Sequence, residues 1–165
     1  MTTGNLIYGP DGEMLKEFDA RDGLGLTMLQ PAGIARAMLS GRESAMLARR
    51  CRDLRFEAVR MGRFDKLAAL AEIWRETGLG PEETLFMGDD LLDLPTLAAS
   101  AVAVTVPHAP QEVQAACDLV TLADGGFGAV REVCDLLLKA RGGHGTAIRA
   151  LAAGRREPDD PEVTH

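Results

Sequence analysis

Short apolar runs of strand length alternate with amphipathic stretches of helix length from residue 34 to residue 140, and nothing else in this 165-residue sequence restricts its fold as much. Parallel strands need a crossover between them, usually a helix. The alternation therefore predicts an α/β protein, a mostly parallel sheet with helices on both faces. Strand candidates are residues 34–39, 57–59, 84–87, 101–106 and 119–121. Helical spacing covers 43–54, 66–77, 93–99, 111–116 and 129–140. The clearest helix is 66–77: Leu67, Leu70, Ala71 and Trp74 recur at three and four, and Gly78 suits the C-cap.

Ahead of this alternation, Asn5-Leu6-Ile7-Tyr8 and residues 13–18 flank Gly9-Pro10-Asp11-Gly12. Pro fixes φ and Gly accepts a left-handed turn position, so 5–18 reads as a projecting hairpin and 22–30 as a short helix after it. Beyond Arg141 the text turns to Gly, Ala, Arg and acids, with Pro158 and Pro161. Residues 1–142 read as one domain and 143–165 as a tail, in which an alanine-rich helix candidate precedes a mobile end at 157–165. A chain of this size buries about two-thirds of its extended surface, enough for one core without staples.

Charge excludes some functions. Eighteen Lys and Arg against 25 Asp and Glu give −7, which argues against general nucleic-acid or anionic-membrane binding. Residues 36–66 run against this trend with nine basic and four acidic groups, a band that suits a small anionic ligand or a solvated helix face. Cys51, Cys117 and Cys134 make no metal spacing and read as reduced core thiols of a cytoplasmic protein. No apolar run approaches the roughly 20 residues that span a bilayer.

The strongest chemical signal is Gly88-Asp89-Asp90-Leu91-Leu92-Asp93, directly after an apolar strand. Ligands of open α/β sheets bind at the carboxyl ends of strands. Adjacent carboxylates there supply hard oxygen ligands that suit Mg²⁺, although the same acids would also suit the positive end of a helix. Lys66 and the Ser40-Gly41-Arg42 turn add the cation, hydroxyl and backbone N–H groups that phosphate chemistry needs. His108, in a Pro-flanked turn near the end of a strand, reads as an exposed turn residue in preference to a pocket-lining one, and His144 has no assigned role.

The ordered set Gly4-Asn5-Leu6-Ile7-Tyr8, Lys16-Glu17-Phe18, Arg21-Asp22-Gly23, Ser40-Gly41-Arg42, Asp65-Lys66, Gly88-Asp89-Asp90-Leu91-Leu92-Asp93 and Gly125-Gly126-Phe127-Gly128-Ala129-Val130-Arg131-Glu132-Val133 resembles the haloacid dehalogenase superfamily. Within it, the sequence is similar to the small capless family of 3-deoxy-D-manno-octulosonate 8-phosphate phosphatases. The resemblance implies a three-layer, Rossmann-like α/β fold and Mg²⁺-dependent hydrolysis of a small sugar-acid phosphate. It implies that Ser40 and Lys66 act on the phosphoryl group, that Gly41 and Arg21 join them in binding the substrate, and that Asp89 binds the metal directly while Asp90 and Asp93 orient it and its waters. It also implies a homotetramer built through the hairpin.

The family opens with an apolar strand ending in Asp-x-Asp, nucleophile and then general acid–base. This sequence starts inside that segment, with Thr3 where an Asp is usual, and neither Asp11 nor Asp19 follows a buried strand that could replace it. The expectations are a true start upstream or a diverged protein without the nucleophile. Phe127 stands where the family usually carries a basic residue. It opens a second reading, resemblance to the delta subunit of phenylphosphate carboxylase, an accessory subunit with decarboxylase-like partners and an aromatic phosphate. A third reading is a non-catalytic phosphate-binding protein.

Overall fold

The structure, a computed structural model, describes residues 1–10 and 12–153. It opens with the expected hairpin: β1 (Ile7–Gly9) runs antiparallel to β2 (Gly12–Leu15), with Tyr8 opposite Glu13. Asp11 of the turn lies outside the described residues. The chain continues through α1 (Ala20–Leu29), β3 (Ala37–Leu39), α2 (Ala45–Asp53), β4 (Ala58–Arg60), α3 (Lys66–Thr77) and β5 (Leu85–Met87). It then forms α4 (Leu94–Ala98), β6 (Val102–Thr105), α5 (Gln111–Ala115), β7 (Leu119–Val120), α6 (Ala129–Ala140) and α7 (His144–Ala152).

Local chemistry sets most of these boundaries. Asp19 accepts from the Arg21 N–H at 2.7 Å to open α1, Ser44 from Leu47 at 3.2 Å to open α2, and Asp65 from Ala68 at 2.9 Å to open α3. Each such cap stabilises its helix by about 1 kcal/mol. Gly78 closes α3 at φ +72°. The strand anticipated at 34–39 is shorter, because Gly33 ends a 3-10 turn and the Arg36 N–H donates to the Glu57 carboxylate at 2.7 Å instead of to a ladder.

The sheet is parallel, as expected, with a separate antiparallel hairpin. β3 pairs with β4, and β5, β6 and β7 pair in that order. No ladder joins β3 to β5 among the described residues. Leu85, Phe86 and Met87 of β5, bonded on one side only, are half-buried, whereas Ala103, Val104 and Thr105 of β6, bonded on both sides, are buried. One apolar cluster joins α1, α6 and α7 through Leu26, Met28, Leu29, Cys134, Leu138 and Ala147. A second joins α4, β6 and α5 through Leu97, Ala103, Val106 and Val113. Burial pushes the thiols of Cys51 and Cys134 up to about 11 and about 12, so both are inert packing groups.

Of the anticipated apolar face of α3, Leu67, Leu70, Ala71 and Trp74, only Leu70 is fully buried, in a stripe with Ala69 and Ile73: Leu67 is exposed, and the Trp74 indole N–H donates to Thr84 at 2.7 Å. Lys66 heads this stripe at spacings of three, four and seven, so seating α3 on the strands β3 and β4 also directs Lys66. The basic band at 36–66 is paired in part, and Arg49 and Arg52 lie exposed on α2, the solvated helix face that was the other expectation. Arg36 is buried against Glu57, Arg60 pairs with Glu72 and Glu76, and Arg63 with Glu72. The stretch beyond Arg141 holds the anticipated helix, α7, whose Ala147 is buried; residues 154–165, including the end read as mobile, lie outside the described residues.

Candidate active site

β5 delivers the acidic loop. The Gly88 N–H still donates to Val104 at 3.1 Å, and the chain then turns through Asp89 and Asp90 into a 3-10 turn at Leu91–Asp93. Gly88 is required by close approach: a Cβ there would lie 2.5 Å from the Cβ of Asp93. The room it leaves lets the buried Asp93 carboxylate fold back beneath the loop. Its Oδ2 accepts from the N–H groups of Asp89 at 3.1 Å and Asp90 at 3.2 Å, and its Oδ1 from Lys66 Nζ at 2.6 Å. Asp93 thus ties α3 to the loop and spends both oxygens doing so. Asp90 accepts from its neighbour Leu91 at 2.6 Å.

Asp89 is the carboxylate left facing the open cavity. Crowding by the surrounding walls, and then the charge of Asp93, push its carboxyl above the ordinary range against the opposing pull of Lys66. A divalent cation relieves that penalty, since it stabilises the ionised form directly. Among the described residues no three His, Cys, Asp or Glu side chains converge as a complete cage. The donors still fit Mg²⁺, a hard ion that keeps several waters and needs only one or two carboxylates. Asp89 would hold it directly, with Asp90 beside it.

The Ser40-Gly41-Arg42 turn follows β3. The Ser40 N–H donates to Arg60 at 2.8 Å, and the Ser40 hydroxyl donates to the Arg42 carbonyl at 3.0 Å and accepts from the Arg42 N–H at 3.2 Å. Gly41 lies against Lys66, whose Cε would be 3.9 Å from a Cβ at that position. The hairpin closes over this turn: Ser44 donates to Glu13 at 2.5 Å, and Arg42 donates to the Tyr8 hydroxyl.

Arg21, expected to join in binding the substrate, lies at the start of α1. Its guanidinium is bonded to Asp19 at 2.6 Å and donates to the Phe127 carbonyl at 2.8 Å, so it braces the Gly125–Gly128 loop. Asp22, buried, accepts from the Arg131 N–H at 3.0 Å in the first turn of α6, where a carboxylate suits the helix dipole.

A cavity of about 300 Å³ opens beside Asp89, lined also by Thr2, Thr3, His108, Asp124 and Phe127. His108 is exposed, as read from the sequence, and it also faces this cavity, with Nδ1 2.5 Å from Asp124. Asp124 lies sixteen residues further on in another loop, so no local pattern joins the two.

The family model for haloacid dehalogenase-like hydrolases matches residues 58–130, which contain α3, the acidic loop and this cavity wall. The 3-deoxy-D-manno-octulosonate 8-phosphate phosphatase of Haemophilus influenzae is 42% identical over 133 residues, 81% of this chain and 74% of that protein. The Escherichia coli K12 enzyme is 36% identical over the same length, covering 71% of that protein. Among solved structures, the Moraxella catarrhalis phosphatase in complex with magnesium, phosphate and KDO superimposes with TM-score 0.87 at 37% identity, over 91% of this chain and 86% of the other. The cobalt-bound Haemophilus influenzae protein gives 0.88 at 39%, over 93% and 90%. Fold and site together define a haloacid dehalogenase-like hydrolase. The chain belongs to the 3-deoxy-D-manno-octulosonate 8-phosphate phosphatase family.

Proposed function

We propose that these residues form the phosphate- and Mg²⁺-binding body of a phosphomonoester hydrolase acting on a small sugar-acid phosphate. One observation carries the reading: Lys66, 27 residues ahead of Asp93 in sequence, closes on the acidic loop at 2.6 Å with Gly41 alongside. A phosphoryl group in transfer spreads negative charge over its equatorial oxygens, and an ammonium, backbone N–H groups and a cation stabilise that charge. Lys66 supplies the ammonium, the Ser40-Gly41 turn the hydroxyl and N–H groups, and Asp89 with Asp90 the cation site. Mg²⁺, when bound, supplies Lewis-acid stabilisation of the phosphoryl oxygens.

A phosphoaspartyl route also needs a carboxylate in line with phosphorus and a second to protonate the leaving oxygen. Neither member of the family's Asp-x-Asp is among the 165 residues. The 165-residue chain should therefore bind phosphate without releasing it from esters. Adding an apolar strand ending in Asp-x-Asp before Met1 should create Mg²⁺-dependent release from octulosonate 8-phosphate, and Lys66→Ala should then lower kcat/KM by about 10²- to 10³-fold. Turnover by the unextended chain, or none by the extended one, overturns this assignment.

The exposed hairpin residues Leu6, Ile7, Tyr8, Met14 and Leu15 support a homotetramer formed through that element. Phe127, 56% exposed on the cavity, favours a second reading, an aromatic phosphate handled beside a decarboxylase-like partner. Octulosonate 8-phosphate and phenyl phosphate assayed in parallel separate the two. No described helix is long and apolar enough to cross a membrane, and three free thiols fit a cytoplasmic setting.

A further inference from the structure

We infer that the hairpin positions the Ser40-Gly41-Arg42 turn for phosphate, with Tyr8 and Glu13 as its two positioning residues; this rests on the phosphatase reading above, which gives the turn its ligand. The turn is held differently on its two flanks. Towards β4 it is tied through backbone: the Ser40 N–H donates to the Arg60 carbonyl at 2.8 Å, and the Arg63 N–H donates to the Ser40 carbonyl at 3.2 Å. Beyond Gly41 the ties are side chains. Among the described residues, the hydrogen bonds that join Arg42 and Ser44 to another segment both run to the hairpin, from Arg42 to the Tyr8 hydroxyl and from Ser44 to Glu13 at 2.5 Å.

Ladder register makes these two contacts one device. Tyr8 and Glu13 stand opposite each other across β1 and β2, so both project from the same face of the hairpin. Lys16 fixes the Glu13 acceptor at 2.9 Å, and its hydrogen bond, followed by that of Ser44, holds the Glu13 carboxyl below the ordinary range, so it accepts as a carboxylate. Ser44 is buried, and Glu13 and Lys16 keep little exposure, so water does not readily stand in for either partner. Arg42 passes the restraint to the site: the Ser40 hydroxyl donates to its carbonyl and accepts from its N–H, so Arg42 cannot move without the hydroxyl. Ser44, which caps α2, fixes the far end of the same segment. A loop already held in its binding shape loses less entropy when the ligand arrives.

The test is calorimetry of the 165-residue chain with inorganic phosphate in millimolar Mg²⁺, and with Mg²⁺ alone. Tyr8→Phe removes the hydroxyl but keeps the ring, and should weaken phosphate about threefold. Glu13→Ala should weaken it about fivefold, and Glu13→Gln, which keeps an acceptor for Ser44, should recover most of the loss. The double variant Tyr8→Phe/Glu13→Ala should lose about tenfold or more, while affinity for Mg²⁺, which depends on Asp89 after β5, stays within about twofold. Hydrogen exchange at the Arg42 backbone N–H should be about fivefold faster in that double variant. A double variant that binds phosphate as the wild type does, or one that loses phosphate and Mg²⁺ affinity alike, overturns the positioning role. If the wild-type chain binds no phosphate, the phosphatase reading falls by itself. The exchange rate at Arg42 then decides whether the hairpin orders the turn, and an unchanged rate in the double variant overturns that as well.

Discussion

Asp93→Asn tests the joint on which the site depends. The substitution keeps shape but removes the charge opposite Lys66, and it leaves one acceptor oxygen where two now serve two backbone N–H groups and an ammonium. Both side chains are withdrawn from solvent, 14% exposed for Lys66 and 4% for Asp93, so water cannot replace the lost partner. Breaking a buried pair by deleting one member costs about 3–5 kcal/mol. Lys66 keeps some solvent access, which places the expectation near the lower end, about 3 kcal/mol. For a chain of this length each kcal/mol moves Tm by about 2–4 °C, so Tm should fall by about 6–12 °C. Urea titration and calorimetry of the wild type, Asp93→Asn, Lys66→Met and the double variant form a complete cycle. The double variant should be less destabilised than the sum of the singles by at least about 1 kcal/mol, because it leaves no buried unpaired charge. Strict additivity, or an Asp93→Asn protein as stable as the wild type, would refute the reasoning.

Hydrogen bonds from Arg63, and then Arg60, pull the Glu72 carboxyl from 4.5 down to about 2. A carboxylate lowered by folding contributes stability above its ordinary value and loses it as pH falls toward the folded one. Glu72→Gln should therefore lower Tm above pH 4.5, with the difference fading by pH 2 in a thermal series. Gly126→Ala puts a Cβ 2.6 Å from the Thr3 nitrogen at a residue with φ +78°, and its Tm should fall with a loss exceeding the about 1–3 kcal/mol of a left-handed non-glycine residue. On the proposal of a tetramer built through the hairpin, replacing Ile7, Tyr8 and Leu15 together by Ser should lower the mass seen in light scattering; an unchanged mass would remove the hairpin from the interface.

The strand–helix order and the segments that carry the acidic loop, Lys66 and Ser40 were legible in the sequence because each is a short run of neighbouring residues. Spacing by itself does not separate Asp89, Asp90 and Asp93; the resemblance sets Asp89 apart as the direct ligand, and in the structure Asp93 folds under the loop, where Gly88 carries no Cβ, while Asp89 lines the cavity. The charge of Arg21 is visible in the sequence and its partners are not: Asp19 and the Phe127 carbonyl hold its guanidinium. The basic band shows the same limit, since Glu72 and Glu76, which pair with Arg60 and Arg63, lie beyond its end.

Properties set within one turn of chain were thus determined by the sequence itself: α3 runs from Lys66 to Thr77 with an Asp65 cap and a Gly78 stop, α6 from Ala129 to Ala140, and the hairpin bends at its Gly-Pro-Asp-Gly. Capping, left-handed glycine and 3.6-residue periodicity act over a few residues and need no fold to be read. Which stripe of α3 is buried, the Lys66–Asp93 contact, and the meeting of His108, Asp124 and Phe127 at one cavity were decided only by tertiary packing. Side-chain pairing across 16 or 27 residues depends on where the sheet and its loops hold each backbone, and no local pattern encodes that distance.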